Sequence, residues 1–292
     1  MGDKIVLVTG VTGRQGGAAA RYLLKNGWRV RGLTRNTKTS KSVSLKGLGV
    51  EMVQGDMEKQ ETLRSAMEGV YGVFSVQNYW EKGIGYEGEV RQGVNLVTAA
   101  KKAGVQHFVQ TSIASVDEVP ECMHWKSKRD IEAMVREAGL PATMLRSVFY
   151  MDNFIDPQFG PVLMLRAVLG CLKSNTRFHM IATDDIGALA AHVFNHPERF
   201  VDKHWDIAGD VLTKSEMAQI YAEITGNPVP KMPLPLFMMK LMNREMANQF
   251  EANNKGVWSF PIKPIRNVYP ELMTWKDFCL KYVVGWRKDK EA

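Results

Sequence analysis

Gly10, Gly13 and Gly16 recur at intervals of three directly after a short apolar run, Ile5 to Val8. The run is rich in β-branched residues, the composition of a strand buried in a parallel sheet. A helical pattern begins at once, with Ala18, Ala19, Tyr22, Leu23 and Leu24 on one side. Strand, glycine turn and helix in this order form a site for a dinucleotide pyrophosphate. Gly10 permits the sharp turn, Gly13 lets the backbone approach phosphate, and Gly16 lets the helix pack near the strand. The helix start then offers N–H groups and a partial positive charge. The competing explanation is a strand-to-helix turn that is merely tight.

The alternation continues. Trp28 to Leu33, Val50 to Val53, Val70 to Val76, His107 to Gln110 and Ala142 to Leu145 read as strands, separated by helical patterns such as Tyr86 to Ala103. Six strands with intervening helices predict a doubly wound parallel α/β sheet, a Rossmann fold, built by right-handed crossovers. Beyond about residue 155 the alternation decays, prolines and methionines increase, and helices dominate. The expected organisation is a Rossmann domain over 1–155 and a smaller, mostly helical domain over 156–292. Chain crossings would run back to the sheet, and the second domain would close a cleft.

Several positions at strand ends carry chemistry. In NAD-binding folds an acidic residue about 20 residues past the glycines bonds the adenosine ribose. Here that position holds Arg35, with Asn36, Lys38 and Lys41 close by. A guanidinium forks onto a 2′-phosphate where an Asp would repel it, so the sequence favours NADP(H) over NAD(H). An ordinary solvated basic loop is the alternative. Gly55-Asp56 ends the third strand, where Asp56 suits either the adenine side of a cofactor or a cap for a helix from Gln60 to Met67. Gln77-Asn78-Tyr79-Trp80 ends the fourth strand, at the edge where ligands of open α/β sheets sit. Glu87 and Arg91 are four apart and suited to pair on a helix surface. Thr111-Ser112 closes the fifth strand, with hydroxyls expected to bond backbone, the alternative being to orient a substrate.

Bulk properties narrow the function classes. The chain has 292 residues, a net charge of +7 and 45% apolar residues. Its basic residues are dispersed and no nucleic-acid motif accompanies them, which argues against direct nucleic-acid binding. The three cysteines, Cys122, Cys171 and Cys279, lack metal or disulfide spacing and suggest a reduced, cytoplasmic setting. No signal peptide or membrane span is expected. His192 and His196 stand four apart in a helix from Thr183 to Asn195, but a third ligand is missing, so no metal is expected.

Further on, His204 to Ala208 reads as a short strand and Thr213-Lys-Ser-Glu216 as a capping box. After Pro228, Pro230, Pro233 and Pro235, one helix is expected to carry Met238, Met242, Met246 and Phe250 on a single face. That stripe suits core packing, or an apolar guest. Trp275 to Val284 reads as a final helix and Arg287 to Ala292 as a frayed end.

The stretches Gly10-Val-Thr-Gly-Arg-Gln-Gly16, Thr34-Arg35-Asn36, Gln54-Gly-Asp56, Asn78-Tyr-Trp80, Glu89-Val-Arg-Gln-Gly93, His124-Trp-Lys-Ser-Lys128 and Tyr150-Met-Asp-Asn153 resemble the NmrA-like family. This is an atypical branch of the short-chain dehydrogenase/reductase superfamily, and the chain looks similar to its HSCARG-type NADPH-sensor subgroup. The resemblance implies NADP(H) between two domains. It assigns Gly10, Thr12, Gly13, Arg14, Gln15 and Gly16 to the pyrophosphate loop, and Arg35, Asn36 and Lys38 to the 2′-phosphate. Gly55 and Asp56 fall to the adenine side; Gln77, Asn78, Tyr79 and Arg91 lie along the dinucleotide. Lys128 stands near the nicotinamide ribose, and Tyr150 and Asn153 flank the nicotinamide.

The superfamily's Tyr-x-x-x-Lys is altered, since His124 stands four before Lys128. Two readings stay open. One is an NADP(H)-binding redox sensor or regulator with a protein partner. The other is an NADPH-dependent oxidoreductase of a quinone, enone or similar small apolar substrate. In the second, Lys128 would polarise the site and His124, Tyr150 or a water would supply the proton. Either is compatible with an oligomer.

Overall fold

A computed structural model describes residues 3–118, 122–157, 160–228 and 231–284. The first half alternates strand and helix: β1 Ile5–Val8, α1 Arg14–Lys25, β2 Arg29–Thr34, α2 Ser40–Gly47, β3 Glu51–Gln54, α3 Gln60–Ala66, β4 Val70–Ser75, α4 Gly85–Lys102, β5 His107–Ile113, α5 Met123–Glu137 and β6 Ala142–Ser147. There follow β7 Phe149–Tyr150, α6 Gly160–Cys171, β8 Phe178–Ile181, α7 Thr183–Asn195, α8 Pro197–Phe200, β9 Lys203–Ile207 and β10 Asp210–Leu212. The chain continues with α9 Lys214–Thr225, α10 Leu236–Met242, α11 Arg244–Asn254, α12 Lys263–Val268 and α13 Trp275–Phe278.

The central sheet has seven strands in the order β3-β2-β1-β4-β5-β6-β9. The pairs β1/β2, β2/β3, β1/β4 and β4/β5 are parallel. The order reverses beside β1, so chain direction diverges at the carboxyl ends of β1 and β4, the switch point where such sheets take ligands. The chain thus adopts the doubly wound α/β fold that its hydrophobic periodicity predicts.

The chain divides into two compact units. One comprises 1–117, 123–146 and 183–205; the other comprises 118–122, 147–182 and 206–292. In the first, strands β1, β4 and β5 are buried almost throughout, as a parallel sheet covered on both faces requires. One layer of its core joins Leu7, Val73 and Phe108 to Leu96, Ala100 and Ile131. Elsewhere in this unit α1 meets α7 through small residues: a Cβ on Gly187 would lie 2.5 Å from the backbone of Ala18.

The second unit contains the sheet β10-β8-β7, with β8/β10 antiparallel and β7/β8 parallel. Its core is aromatic. Phe154 and Trp275 have ring centroids 4.5 Å apart, and Phe149 and Phe178 5.0 Å. The expected capping box is present, as Thr213 accepts from Glu216 N–H and Glu216 returns the bond.

The helix expected through Met238 to Phe250 is two helices. Asn243 is extended, ends α10 and caps α11 by accepting from Met246 N–H. An Asn side chain that competes with the backbone breaks the run without proline or glycine. The stripe is divided accordingly: Phe250 is buried, whereas Met238 and Met242 are exposed. The final helix gives way at Cys279–Val283 to a π turn. Pro230 and Arg287 to Ala292 lie outside the described residues.

Candidate functional site

The glycine turn is built as its spacing predicts. Gly10 has φ +55°, a conformation that disfavours any side chain, and Gly13 N–H donates to Gly10 O at 2.8 Å. A Cβ on Gly16 would fall 2.3 Å from Gly10 O and 2.7 Å from Thr9 O. The third glycine therefore serves the turn's own packing. Gly13 stands at the N-cap of α1 and makes no side-chain cap. Thr12 and Gln15 are half-buried and Arg14 is exposed around this helix start. A turn with no space for Cβ atoms, ahead of a helix start not capped by its N-cap residue, fits a dinucleotide pyrophosphate.

Thr9 fastens the turn to the next strand. Its hydroxyl donates to Val76 O at 2.9 Å and accepts from Val76 N–H at 2.8 Å.

The loop after β2 is tied by its own side chains. Asn36 Oδ1 accepts from Lys38 N–H, Thr39 caps α2 by accepting from Ser42 N–H, and Ser42 donates to Asn36 O. Arg35 and Lys38 are exposed. Arg35 pairs with Glu81 at 2.5 Å.

Gly55 is buried where a Cβ would meet Leu33 at 2.6 Å. Asp56 does not cap α3, whose N-cap is Lys59. Its carboxylate instead accepts from Glu58 N–H at 3.0 Å, which holds a turn. Arg91 pairs with Glu58 at 2.5 Å rather than with Glu87 in a surface pair. Bonding to Glu58 raises its pKa further.

Beyond β4, a buried amide–hydroxyl network occupies the strand ends. Ser75 Oγ donates to Gln110 Oε1 at 2.6 Å, and Gln77 Nε2 donates to Ser75 Oγ at 2.8 Å. Gln110 Nε2 donates to Gln77 Oε1 at 3.0 Å. Thr111 Oγ1 donates to Ser75 O, the backbone role expected for this hydroxyl. Gln77 is therefore held from within, while Asn78 is exposed and Tyr79 half-buried.

The same edge brings together residues from α4, α5 and the 77–80 segment. Lys128 Nζ donates to Glu89 Oε1 at 2.8 Å. Ser127 Oγ donates to Glu89 Oε2 at 2.5 Å, and Tyr79 N–H donates to Glu89 Oε1 at 3.1 Å. The Glu89 side chain is wholly buried. His124 is buried against Tyr79 and Trp80, with ring centroids 5.7 and 5.2 Å away. A cation, an imidazole and two aromatic rings thus share one strand edge, a composition suited to a flat, polar ring.

Sequence reasoning assigned no role to Glu89, Glu58, Glu81, Ser75 or Gln110. A signal for Glu89 existed. It lies on the stripe Glu89, Gln92, Gly93, Leu96, Ala100, the face that α4 buries. A carboxylate on that face needs a partner.

Tyr150 and Asn153 belong to the second unit. Tyr150 Oη lies 3.0 Å from Ser147 Oγ, and Asn153 is half-buried in the 3₁₀ turn Met151–Ile155. The same unit has an apolar cleft lined by Met164, Leu234, Met239, Met242, Asn243 and Met246 among others.

His192 and His196 have ring centroids 4.6 Å apart, and burial, then His196, lowers the His192 pKa. Among the described residues no group of three or more His, Cys, Asp or Glu side chains could hold a metal, and no helix is long and apolar enough to cross a membrane. All three cysteines are buried thiols, and burial pushes Cys122 and Cys279 up to about 12 and Cys171 to about 11.

The sequence profile of the NmrA-like family matches residues 2–278. The chain belongs to the NmrA-like family. Among curated relatives it is 30% identical over 253 residues to the NmrA-like family domain-containing oxidoreductase hkm9 of Aspergillus hancockii, spanning 79% of this chain and 75% of that protein. Among solved structures, the triphenylmethane reductase of Citrobacter sp., complexed with NADP(H), is 23% identical with a TM-score of 0.78. The match covers 96% of this chain and 99% of that one. NmrA, a negative transcriptional regulator in complex with NADP, is 16% identical with a TM-score of 0.80, over 100% of this chain and 99% of that one. These two likenesses concern the fold.

Proposed function

We propose that this chain binds NADP(H) and acts as a redox sensor or regulator whose state follows cofactor occupancy. The observation that carries the cofactor reading is Arg35. It is an exposed guanidinium at the end of β2, where an NAD-binding fold places a carboxylate. In this reading Gly10, Thr12, Gly13, Arg14, Gln15 and Gly16 hold the pyrophosphate at the start of α1, and Arg35, Asn36 and Lys38 meet the 2′-phosphate. Gly55 and Asp56 face the adenine. Gln77, Asn78, Tyr79 and Arg91 line the dinucleotide, and Lys128 holds the nicotinamide ribose. The likeness to NmrA, solved with NADP and with NAD, supports a nicotinamide cofactor, and Arg35 carries the preference between the two.

The sensing role rests on His124. The position four before Lys128 lacks the phenol through which the superfamily passes a proton, and the imidazole there packs against Tyr79 and Trp80. Free, buried cysteines support a reducing, cytoplasmic setting. The experiment is a pull-down of protein partners with and without saturating NADPH. A partner whose capture changes with occupancy is expected. A partner set indifferent to the cofactor argues against sensing.

A second reading, an NADPH-dependent oxidoreductase of a quinone, enone or similar small apolar substrate, is favoured by one observation. Lys128 is an ammonium anchored beside an imidazole and two rings, an arrangement able to polarise a carbonyl. The oxidoreductase hkm9 is a relative in keeping with it. Bound NADPH would supply a hydride. NADPH oxidation that a quinone or enone panel elicits, and that Lys128→Ala abolishes even at saturating NADPH, would establish this reading over pure sensing.

A further inference from the structure

We infer that Glu89 is a positioning residue that sets Lys128 and the 77–80 segment in one fixed relation; this rests on the reading that Lys128 holds the nicotinamide ribose. Its carboxylate has no exposed surface, yet it receives three donors, two from α5 and one from the 77–80 segment. Oε1 takes the Lys128 ammonium at 2.8 Å and the Tyr79 N–H at 3.1 Å, and Oε2 takes the Ser127 hydroxyl at 2.5 Å. A buried anion is stable only when paired and hydrogen-bonded, and these donors supply both conditions.

The consequence is geometric. Lysine carries four rotatable carbons, so an unpaired Lys128 would sample many positions. Glu89 restricts it to one. The same oxygen that holds the ammonium also holds the backbone of Tyr79, so Lys128 and the 77–80 segment move together. The other end of that segment is fixed by Thr9, which bonds both the N–H and the C=O of Val76 at the glycine turn. Two sets of hydrogen bonds, Thr9 to Val76 and Tyr79 to Glu89 to Lys128, are thus joined by the short backbone stretch 76–79. The two outer ends are the elements assigned to the pyrophosphate and the nicotinamide ribose. A cofactor spanning them meets groups already at the correct separation, which lowers the ordering cost of binding.

The test is Glu89→Gln in the full chain, with calorimetric titration of NADPH and of 2′,5′-ADP, which carries only the adenosine half. Expected is about ten-fold weaker NADPH binding with 2′,5′-ADP unchanged within about two-fold. General loss of structure would move both ligands, so equal weakening of the two overturns the inference, as does unchanged NADPH binding. Glu89→Gln should have no further effect once Lys128→Met is present. If Glu89→Gln alone does not fold, Lys128→Met is compared with the double variant, in which no buried charge is left unpaired. Equal NADPH affinity of those two supports the inference, and a further ten-fold loss in the double variant overturns it. A wild-type chain that binds neither ligand overturns the cofactor reading itself, an outcome distinct from all of these.

Discussion

Glu81 Oε1 stands 2.5 Å from Arg35 Nη1, so the guanidinium assigned to a 2′-phosphate already holds a carboxylate. The pair is solvent-exposed on the Arg35 side and worth no more than about 0.2–1 kcal/mol. A phosphate on the same guanidinium would sit beside, or displace, this carboxylate, and the two anions repel. Glu81→Gln is therefore expected to strengthen NADPH binding about two- to five-fold and to leave NADH unchanged. Parallel titrations of the two nucleotides check this, and equal gains for both would contradict it.

Gly16 is needed for packing, because a Cβ there would press into the backbone oxygens of Gly10 and Thr9. Those atoms belong to the turn itself and cannot rotate away. Gly16→Ala is expected to cost about 1–3 kcal/mol and to abolish nucleotide binding. Thermal melting with and without NADPH reads both effects. A variant with wild-type melting and binding would refute the packing argument.

Two ion pairs with opposite surroundings should differ sharply. Glu132 is wholly buried, and its carboxylate accepts from Arg146 Nε at 2.9 Å and Nη2 at 2.7 Å and from Arg136 Nη2 at 2.5 Å. Removing it withdraws both Glu132 bonds from the buried Arg146 guanidinium, which the exposed Asp117 carboxylate also meets at 3.0 Å. Glu132→Ala should cost about 3–5 kcal/mol in urea denaturation. Arg91→Ala, which breaks the exposed pair with Glu58, should leave the urea midpoint nearly unchanged. Similar losses for the two would show that burial is not what decides.

His107 gives the stability a pH dependence. Thr143 Oγ1 donates to Phe200 O, so it accepts from His107 Nε2–H at 2.8 Å. Nδ1 is left as a buried acceptor with no hydrogen-bond partner among the described residues. Burial lowers this imidazole to about 4. The unfolded chain binds the proton near the ordinary value, about 6.5, and the folded chain does not, so stability rises with pH across that window. It is fully present above about 6.5 and is lost as pH falls towards 4, with about 2 kcal/mol gone by pH 5. Urea denaturation at pH 7 and pH 5 should show this slope in the wild type and a flatter one in His107→Gln. An identical slope would place the proton uptake elsewhere.

What could be read from the chain before its structure follows from the range of each interaction. The glycine turn was legible because Ile5–Val8, the three glycines and α1 are contiguous. The helix α7 and the Thr213 capping box were legible for the same reason. Glu89 and Lys128 are 39 residues apart, and Arg35 and Glu81 are 46 apart. No local pattern links such pairs: the buried face of α4 shows that Glu89 needs a partner, but nothing local says which. Asn243 hid the break between α10 and α11, because an asparagine is compatible with either a helix interior or a cap until the backbone is seen. His124 was visible as a departure, but its packing against Tyr79 and Trp80 depended on the sheet bringing β4 and α5 together.

The central claim is that Arg35 selects a nucleotide bearing a 2′-phosphate. Calorimetric titration of the wild-type chain and of Arg35→Ala with NADPH and NADH tests it most directly. The account expects NADPH to bind at least about ten-fold more tightly than NADH to the wild type, and that ratio to collapse towards one in Arg35→Ala. Equal affinities in the wild type, or a ratio that survives the substitution, would contradict it.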